Sequence, residues 1–571
     1  MSSAVLVLCV VACAGAAADH HHHGHDHGAP TLAPQEIAPK SVNDAGAFRG
    51  SWMESRRGRR FQAYRGIRYA EPPVGPLRFQ PPVEIINYRD EVDATKDGPA
   101  CPQPVFNEYY VHEDCLRLNV YTPDNLSKKP LPVVVFMHAG GFYSVSGRSD
   151  VAGPQHLLDR NMVLVTINYR LGSLGFLSTG DKYAPGNNGF KDQVAALRWV
   201  QRNIGSFGGD PGLVTISGYS AGSFSVLLHT VSPMSRGLFH RAISMSGSPI
   251  SQIVLPQHQR HLAERQARLL GCPTDTSKAM IDCLKTKTSK ELGDSLDNMF
   301  EFGYDPVLLW MPVVEPDFGQ TRFLSKQPLE SVCKREMQAV PYIISQTQDE
   351  FFWKAFNVLK NETMLNTMNT DWHRIAAIAF YLSGANAPAQ ADRLKQAYLG
   401  GKQLVNDSAT ADGLGKLYSD AIIGFGVHRL ADLVSRHSSQ PVYSYEFAYV
   451  GKSSHYVDPT TEKPVGAAHH DDLLYLFNVS YSFPPIPAAD TPDSHMVDKM
   501  TGIFYNFARY GDPNPRGDTP ELAALAWPAR AVQPDKAQYI RIDKQFSVHE
   551  KLFDDRYRVW EELYPLNYDK C

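Results

Sequence analysis

The chain has 571 residues and 43% of them are apolar, which is ample to bury a large hydrophobic core. Lys and Arg number 56 against 60 Asp and Glu, so no basic face is indicated and nucleic acid is excluded as an expected partner. No linker or internal repeat interrupts the interior. We therefore expect one large domain over residues 38–564, followed by a C-terminal tail at 565–571.

The N-terminus carries an apolar run, AVLVLCVVACAGAAA at residues 4–18, that ends in small residues. This pattern predicts a signal peptide over residues 1–18, although the usual positive residues are missing, and hence secretion. The run is short for a membrane span, and no other stretch is long and apolar enough. The C-terminus has no hydrophobic tail of the kind that precedes a GPI anchor, so we expect no stable membrane anchor.

A His-rich stretch, HHHHGHDH at residues 20–27, lies within the segment 19–37. Imidazole groups bind transition metals, so metal binding is one interpretation of this stretch. The other is a solvated, disordered tail, which we favour. We expect no metal in the functional site.

Cysteine usage agrees with secretion, because disulfides form in oxidising compartments. Two of the eight cysteines lie in the predicted signal peptide, and six remain. Close spacing favours two short bridges, Cys101–Cys115 and Cys272–Cys283, while other pairings remain open. N-glycosylation sequons occur at four positions, Asn125, Asn361, Asn406 and Asn478.

Short β-rich apolar runs alternate with helical patterns through the middle of the chain. Strands are predicted at 132–137, 162–167, 213–217, 242–245, 340–345 and 442–447. Helices are predicted at 191–203, where apolar residues recur at 194, 197 and 200, and at 221–230. This alternation is typical of an α/β fold with a mainly parallel central sheet flanked by helices. Functional loops of such folds lie at the carboxyl ends of the strands.

A G-x-S-x-G motif, GYSAG at residues 218–222, stands between a predicted strand and a predicted helix. The tight turn that this motif builds exposes the serine at the sheet edge, so Ser220 is a candidate nucleophile. The alternative is an ordinary Gly-rich turn, which the flanking elements make the weaker interpretation.

A second Gly-rich loop, HAGGF at residues 138–142, directly follows the predicted strand 132–137. A serine hydrolase needs backbone N–H groups aimed at the developing oxyanion, and glycine lets the backbone approach the substrate closely. Gly140, Gly141 and Ala221 are the candidate donors. The alternative is a loop that only turns the chain.

A serine hydroxyl needs a histidine base, and that histidine needs an orienting carboxylate. The chain has 21 histidines, so position must narrow the choice. Glu350 follows the strand 340–345 and His469 follows the strand 442–447, which would bring both to the edge that holds Ser220. The order serine, acid, histidine is that of α/β-hydrolases.

These motifs together resemble the type-B carboxylesterase/cholinesterase family, and most closely its secreted insect carboxylesterases. The resemblance covers nearly the whole chain and rests on EDCLRLNVYTP (113–123), HAGGF, GYSAG, SGSP (246–249), QDE (348–350) and GAAHHDDL (466–473), with the long runs 166–181 and 186–211. It implies the α/β-hydrolase fold and carboxylic ester hydrolysis without a cofactor.

The resemblance also assigns roles to particular residues. The family pattern G-x-x-H-x-x-[DE] places the catalytic base on His469 rather than His470, and the family acid falls on Glu350 rather than Asp349. The family's oxyanion donors and two of its disulfides fall on the same residues that the sequence already favours for these roles. Of the remaining cysteines, we expect Cys333 to be free and Cys571 to be available, because a C-terminal cysteine links subunits in cholinesterases.

Several positions depart from the family pattern. The usual HGGG is HAGG here, and the residue before the nucleophile is Tyr219, where cholinesterases have Glu and juvenile hormone esterases usually have Gln. The segment between Cys101 and Cys115 offers Phe106, Tyr109 and Tyr110 but no Trp of the kind that stacks on choline. Ile253 lies near the place of an acyl-pocket Trp. The implied substrates are therefore neutral, apolar esters, and a hormone, pheromone or xenobiotic ester remains open.

Two other functional classes share this fold. Neuroligin-like adhesion proteins lack the triad, whereas this chain has serine, glutamate and histidine at the matching positions. A lipase acting at lipid interfaces is a weaker alternative, because no amphipathic tail supports it. An active esterase is the interpretation that the sequence favours.

Overall fold

The computed structural model of the chain describes residues 37–104, 110–124, 129–458, 460–533, 536–567 and 571. The predicted signal peptide, the His-rich stretch, Phe106, Tyr109 and Asn125 lie outside the described residues. Within the described part, none of the helices combines the length and the apolar composition that a membrane span requires.

The architecture is an α/β fold built on one large sheet of eleven strands, in the order β16-β15-β14-β13-β12-β11-β7-β8-β6-β4-β3. The seven neighbouring strands from β15 to β8 in this order run parallel to one another. At the two ends of the sheet, β16 is antiparallel to β15, and β6, β4 and β3 are each antiparallel to the preceding strand of the order. The strands are β1 Lys40–Asn43, β2 Gly46–Arg49, β3 Ser51–Glu54, β4 Arg60–Arg68, β5 Val92–Asp93, β6 Arg117–Pro123, β7 Leu131–Met137, β8 Val163–Ile167, β9 Ser178–Asp181, β10 Ala184–Pro185, β11 Gly209–Tyr219, β12 Arg241–Met245, β13 Tyr342–Thr347, β14 Val442–Phe447, β15 Gln538–Ile542 and β16 Phe546–Glu550.

Fifteen α-helices occur in the described residues and many of them cover the two faces of the sheet. They are α1 Gly172–Phe176, α2 Asn188–Asn203, α3 Ala221–Val231, α4 Arg260–Leu269, α5 Ser277–Lys285, α6 Ser289–Asp294, α7 Pro328–Cys333, α8 Lys354–Leu359, α9 Glu362–Thr370, α10 Trp372–Phe380, α11 Ala387–Leu399, α12 Ser408–Ser419, α13 Phe425–His437, α14 Pro492–Tyr510 and α15 Asp554–Leu563.

The central strands are fully buried because helices pack on both faces of the parallel region. Every residue of β7, β8, β13 and β14 is buried, which explains why these segments are continuous apolar runs in the sequence. The alternate residues of a strand enter different cores: Val133 and Val135 pack on one side, and Val134 and Phe136 on the other. All six predicted strands and both predicted helices are present.

Three disulfides connect the six cysteines of the described residues. Cys101–Cys115 and Cys272–Cys283 are formed as predicted. The expectation of a free Cys333 and an available Cys571 is wrong, because these two residues are bonded to each other. The tertiary structure explains this bond. Helix α15 packs on α13 through the Arg429–Glu561 ion pair, and Cys571 lies beside Cys333 at the end of α7. Cys571 is therefore not available to link subunits.

Candidate active site

The serine of the G-x-S-x-G motif occupies a strained turn between β11 and α3. Ser220 has φ +54° and ψ −114°, a combination that L-residues rarely adopt. A Cβ atom on Gly218 would lie 2.2 Å from the carbonyl oxygen of Gly222, so the turn closes only with glycine at that position. The turn places Ser220 at the carboxyl edge of the sheet, where it is 9% exposed.

The HAGG loop follows β7 at the same edge. Gly140 and Gly141 have φ values of +109° and +57°, and a Cβ on Gly140 would lie 2.1 Å from the Ser144 carbonyl oxygen. In the described part of the chain, the N–H groups of Gly140, Gly141 and Ala221 donate to no protein acceptor. Three free donors at one edge are what an oxyanion site requires. Ala139, the departure from HGGG, is buried and replaces none of these donors.

The predicted acid and base are in direct contact. The Nδ1 atom of His469 lies 2.5 Å from Oε2 of Glu350, and the backbone N–H of His469 donates to the Glu350 carbonyl at 3.0 Å. The other carboxylate oxygen, Oε1, accepts the Thr347 N–H at 2.8 Å. Both side chains are almost fully buried, so water does not compete for the pair. The Nε2 atom of His469 is buried and has no partner among the described residues.

The residues next to the acid and the base point elsewhere. Asp349 accepts a backbone N–H from the loop that holds the histidines, at 3.1 Å, and burial raises the pKa of Asp349 to about 6. The backbone N–H of His470 donates to the Tyr219 hydroxyl at 2.8 Å, and burial lowers the pKa of the His470 imidazole well below its usual value. Of the two adjacent carboxylates and the two adjacent histidines, only Glu350 and His469 face each other.

Tyr219 connects the serine turn with the histidine loop. Its ring centroid lies 5.1 Å from that of His469 and 5.0 Å from that of His470. Since Tyr219 directly precedes Ser220, these ring contacts bring the turn and the histidine pair to the same edge of the sheet. Ser220, the HAGG loop, Glu350 and His469 thus lie at one edge, and their roles in catalysis stay a prediction.

One residue of the site was not singled out from the sequence. Asp472 is completely buried, accepts a hydrogen bond from the Tyr445 hydroxyl at 3.2 Å and lies beside Tyr219 and Glu350. Burial, with the nearby Glu350 charge, raises the pKa of Asp472 to about 7. Asp472 is the last position of the G-x-x-H-x-x-[DE] pattern, so the sequence pattern could have pointed to this residue. Its burial and its contacts, however, follow only from the tertiary structure.

Only one group of side chains in the described residues has the proximity that a metal ion needs. Cys333, His437 and Cys571 place their ligand atoms within 4.8 Å of one another, but the two thiols are joined in the disulfide and do not serve as ligands there. Among the sequons, Asn361 and Asn406 are exposed and Asn478 is half-buried.

Comparisons with known proteins bear on the family and the fold of this chain. The family model described as "Carboxylesterase family" matches residues 38–560. Juvenile hormone esterase of Tribolium castaneum is 38% identical over 491 residues, covering 82% of this chain and 83% of that protein. Esterase FE4 of Myzus persicae is 36% identical, covering 83% of this chain and 85% of that protein. The crystal structure of juvenile hormone esterase from Manduca sexta, with OTFP covalently attached, superposes with a TM-score of 0.82 at 27% identity, covering 93% of this chain and 100% of that one.

The contact between Glu350 and His469 predicts which members of the two adjacent pairs support activity. Glu350→Gln and His469→Ala should each reduce kcat for a p-nitrophenyl ester by about 10³-fold or more, because the imidazole loses its partner or is removed. Asp349→Asn and His470→Ala should reduce kcat less than about tenfold. The four variants, checked for native circular dichroism, form matched pairs, and greater sensitivity of Asp349 and His470 would contradict the assignment.

The raised pKa of Asp472 predicts a pH-dependent effect on stability. An aspartate in the unfolded chain has a pKa near 4, whereas folded Asp472 has a pKa of about 7. Between these two pH values the folded state binds a proton that the unfolded state does not. The free energy of unfolding therefore falls as pH rises through this range. Asp472→Asn should remove that loss. Its free energy of urea unfolding should exceed that of the wild type by an amount growing from pH 4 to 7, on the order of 1–3 kcal/mol.

The matched control for this measurement is Asp555→Asn, since the Asp555 side chain is almost fully exposed. Its difference from the wild type should stay small and constant across the same pH range. Parallel stability curves for Asp472→Asn and the wild type would show that Asp472 titrates normally.

Proposed function

The chain belongs to the carboxylesterase family and is a carboxylic ester hydrolase, and we propose that it works through a Ser220–His469–Glu350 triad and an acyl-enzyme intermediate. The observation that carries this proposal is the buried contact between His469 Nδ1 and Glu350 Oε2, with Nε2 left unpartnered. A histidine held in this way keeps Nε2 available to accept a proton from a serine hydroxyl. Ser220 directly follows Tyr219, whose ring makes an edge-to-face contact with the same imidazole.

In the first half of the reaction, Ser220 Oγ attacks the ester carbonyl carbon as His469 Nε2 accepts the hydroxyl proton. The carbonyl oxygen becomes an oxyanion, which the N–H groups of Gly140, Gly141 and Ala221 stabilise. Glu350 orients the imidazole and stabilises its positive charge. The carbon–oxygen bond to the alcohol then breaks, and His469 returns its proton to the departing alcohol, leaving the acyl group on Ser220.

In the second half, a water molecule gives a proton to His469 and attacks the acyl carbon. The same three N–H groups stabilise the second oxyanion. The bond to Ser220 breaks, His469 returns the proton to the serine oxygen, and the carboxylic acid leaves. No metal or organic cofactor takes part in this sequence of steps.

We propose neutral, apolar esters as the substrate class. Tyr219 replaces the Glu that cholinesterases carry before the nucleophile, and burial raises the pKa of its hydroxyl well above its usual value, so it brings no charge to the site. Tyr110 is 58% exposed, and Phe106 and Tyr109 lie outside the described residues. A relative is named juvenile hormone esterase, so a hormone ester is one candidate substrate.

We propose that the protein is secreted and glycosylated. Residues 1–18 would be removed as a signal peptide, residues 19–37 would form the His-rich tail, and residues 38–564 would form the hydrolase domain. Disulfides form and persist in oxidising compartments, and three are present here. Asn361 and Asn406 are exposed acceptors, Asn478 is half-buried, and Asn125 remains an expectation from its sequon.

Removing the nucleophile tests the proposed mechanism. Ser220→Ala should lower kcat for p-nitrophenyl butyrate by about 10⁴–10⁶-fold, because no neighbouring hydroxyl can replace Oγ in the turn. Ser223→Ala is the matched control, since Ser223 is buried in α3 and donates to the Gly247 carbonyl. It should retain most of the activity, whereas wild-type turnover by Ser220→Ala would disprove the mechanism.

A pair of thioesters of equal size tests the proposed substrate class. Cation–π attraction contributes about 0.5–2 kcal/mol, most strongly with Trp, and this chain offers neither the Trp nor the adjacent Glu. The value of kcat/KM for acetylthiocholine should therefore be lower than that for its neutral isostere, 3,3-dimethylbutyl thioacetate. A clear preference for the cationic ester would place the chain with the cholinesterases.

A further inference from the structure

A second cavity lies away from the residues of the proposed triad. It measures about 500 Å³ and is bounded by β13 and β14 on one side and by α13 and α15 on the other. Neither Ser220, Glu350, His469 nor the HAGG loop lines it. A volume of this size falls in the range of small-molecule binding sites, about 300–1,000 Å³.

Most of the cavity wall is apolar, so a ligand there would present an apolar body. Its apolar side chains come from several elements and include Ile344, Val427, Ala431, Ala537, Leu552 and Leu566. Ala431 belongs to α13, lines the cavity and is 4% exposed. Burial of a hydrocarbon chain against such a wall contributes about 25 cal/mol per Å² of apolar surface.

Three polar side-chain atoms of residues that line the cavity are buried and lack a partner among the described residues. They are the Ser345 and Ser444 hydroxyls and the Nε atom of Arg530. Ser444 pairs in register with Ile344, so the two side chains share the face of the sheet that lines the cavity. Buried groups of this kind are rare in folded proteins, because each costs about 1–3 kcal/mol. By contrast, Gln346 and Tyr557 satisfy each other at 2.8 Å.

The charges around the cavity favour a ligand that accepts hydrogen bonds. Each of its three carboxylates is paired with an arginine: Asp432 with Arg530, Asp554 with Arg558, and Glu561 with Arg429. Lys551 also lines the cavity, and its ammonium group makes no ion pair within the described residues. Donors without an acceptor therefore remain, whereas no carboxylate remains without a cation.

We propose that this cavity is a second binding site, which takes a medium-chain amphipathic carboxylate with its hydrocarbon chain against the apolar wall and its carboxylate at Ser444 and Arg530. The carboxylate would accept hydrogen bonds from the Ser444 hydroxyl and the Arg530 Nε–H, two of the three buried atoms that the protein leaves unsatisfied. A bound ligand of this kind replaces two buried, unpaired donors by charge-assisted hydrogen bonds.

The binding test uses the full chain after reaction with diisopropyl fluorophosphate, so that the esterase site is occupied and only the second site is open. Complete labelling is verified by the mass increase and the loss of activity. Sodium dodecanoate is then titrated calorimetrically below its micelle concentration, beside dodecylammonium chloride of the same chain length. One dodecanoate should bind per chain, at least about tenfold more tightly than dodecylammonium.

Substitutions in the wall locate the binding. Ala431→Phe fills the cavity and should weaken dodecanoate binding at least about tenfold. Ser444→Ala should weaken it about 10- to 100-fold by removing one hydrogen bond to a charge. Ala389→Phe, on the exposed side of α11, is the matched control and should bind as the wild type does. A variant enters the titration only if its esterase activity before labelling equals that of the wild type. If Ala431→Phe does not fold, Ser444→Ala still tests the proposal.

Three results would overturn the proposal: no dodecanoate binding to the labelled protein, equal affinity for the two head groups, or wild-type binding by both wall variants. A failure to label Ser220 contradicts the proposed mechanism instead. In that case the titrations are repeated with unlabelled protein, where the difference between Ala431→Phe and Ala389→Phe still decides the question.

Discussion

The proposed site depends on a backbone contact too close for any side chain. A Cβ atom on Gly222 would lie 2.0 Å from the carbonyl oxygen of Met137, the last residue of β7. Glycine at 222 therefore lets the start of α3 press against the end of β7, where the HAGG loop begins. Because no space is left between the two backbones, the serine turn and the start of the oxyanion loop pack directly against each other. The Ser220 N–H, which donates to Met245 at 2.8 Å, ties the same turn to the end of β12.

The histidine loop is held by carboxylates that accept backbone N–H groups. Asp349 accepts from Ala467, and Asp471 accepts from Ala468 at 3.0 Å and from the Ser454 hydroxyl at 2.6 Å. These bonds fix the backbone on the N-terminal side of His469, so the imidazole needs little reorganisation to meet Glu350. Preorganisation of this kind is how polar groups contribute to catalysis without a cost at each turnover. The aspartate beside the proposed acid thus has a structural role of its own.

Periodic apolar runs predicted the central strands, because β7, β8 and β11 to β14 are buried on both faces. The same reasoning did not predict the antiparallel strands β3, β4 and β6, in which polar residues interrupt the apolar run, or the helices α8 to α12. The local motif identified Ser220, whereas the choice of Glu350 and His469 over their neighbours came from the family pattern. The Cys333–Cys571 bridge spans 238 residues, so no spacing argument could find it.

Tyr219 occupies the position before the proposed nucleophile where cholinesterases have Glu, and this difference changes the charge beside the site. A carboxylate at that position would be a fixed negative charge, whereas the buried Tyr219 phenol is neutral and accepts the His470 N–H. A further carboxyl beside Tyr219 is that of Asp472, whose pKa of about 7 leaves it largely protonated in mildly acidic solution. Because Asp472 is fully buried behind Tyr219, its charge is costly to form there and poorly placed to attract a cation. These features support the proposal of neutral ester substrates, because neither Tyr219 nor Asp472 gives a cationic ester a fixed charge that would offset its desolvation.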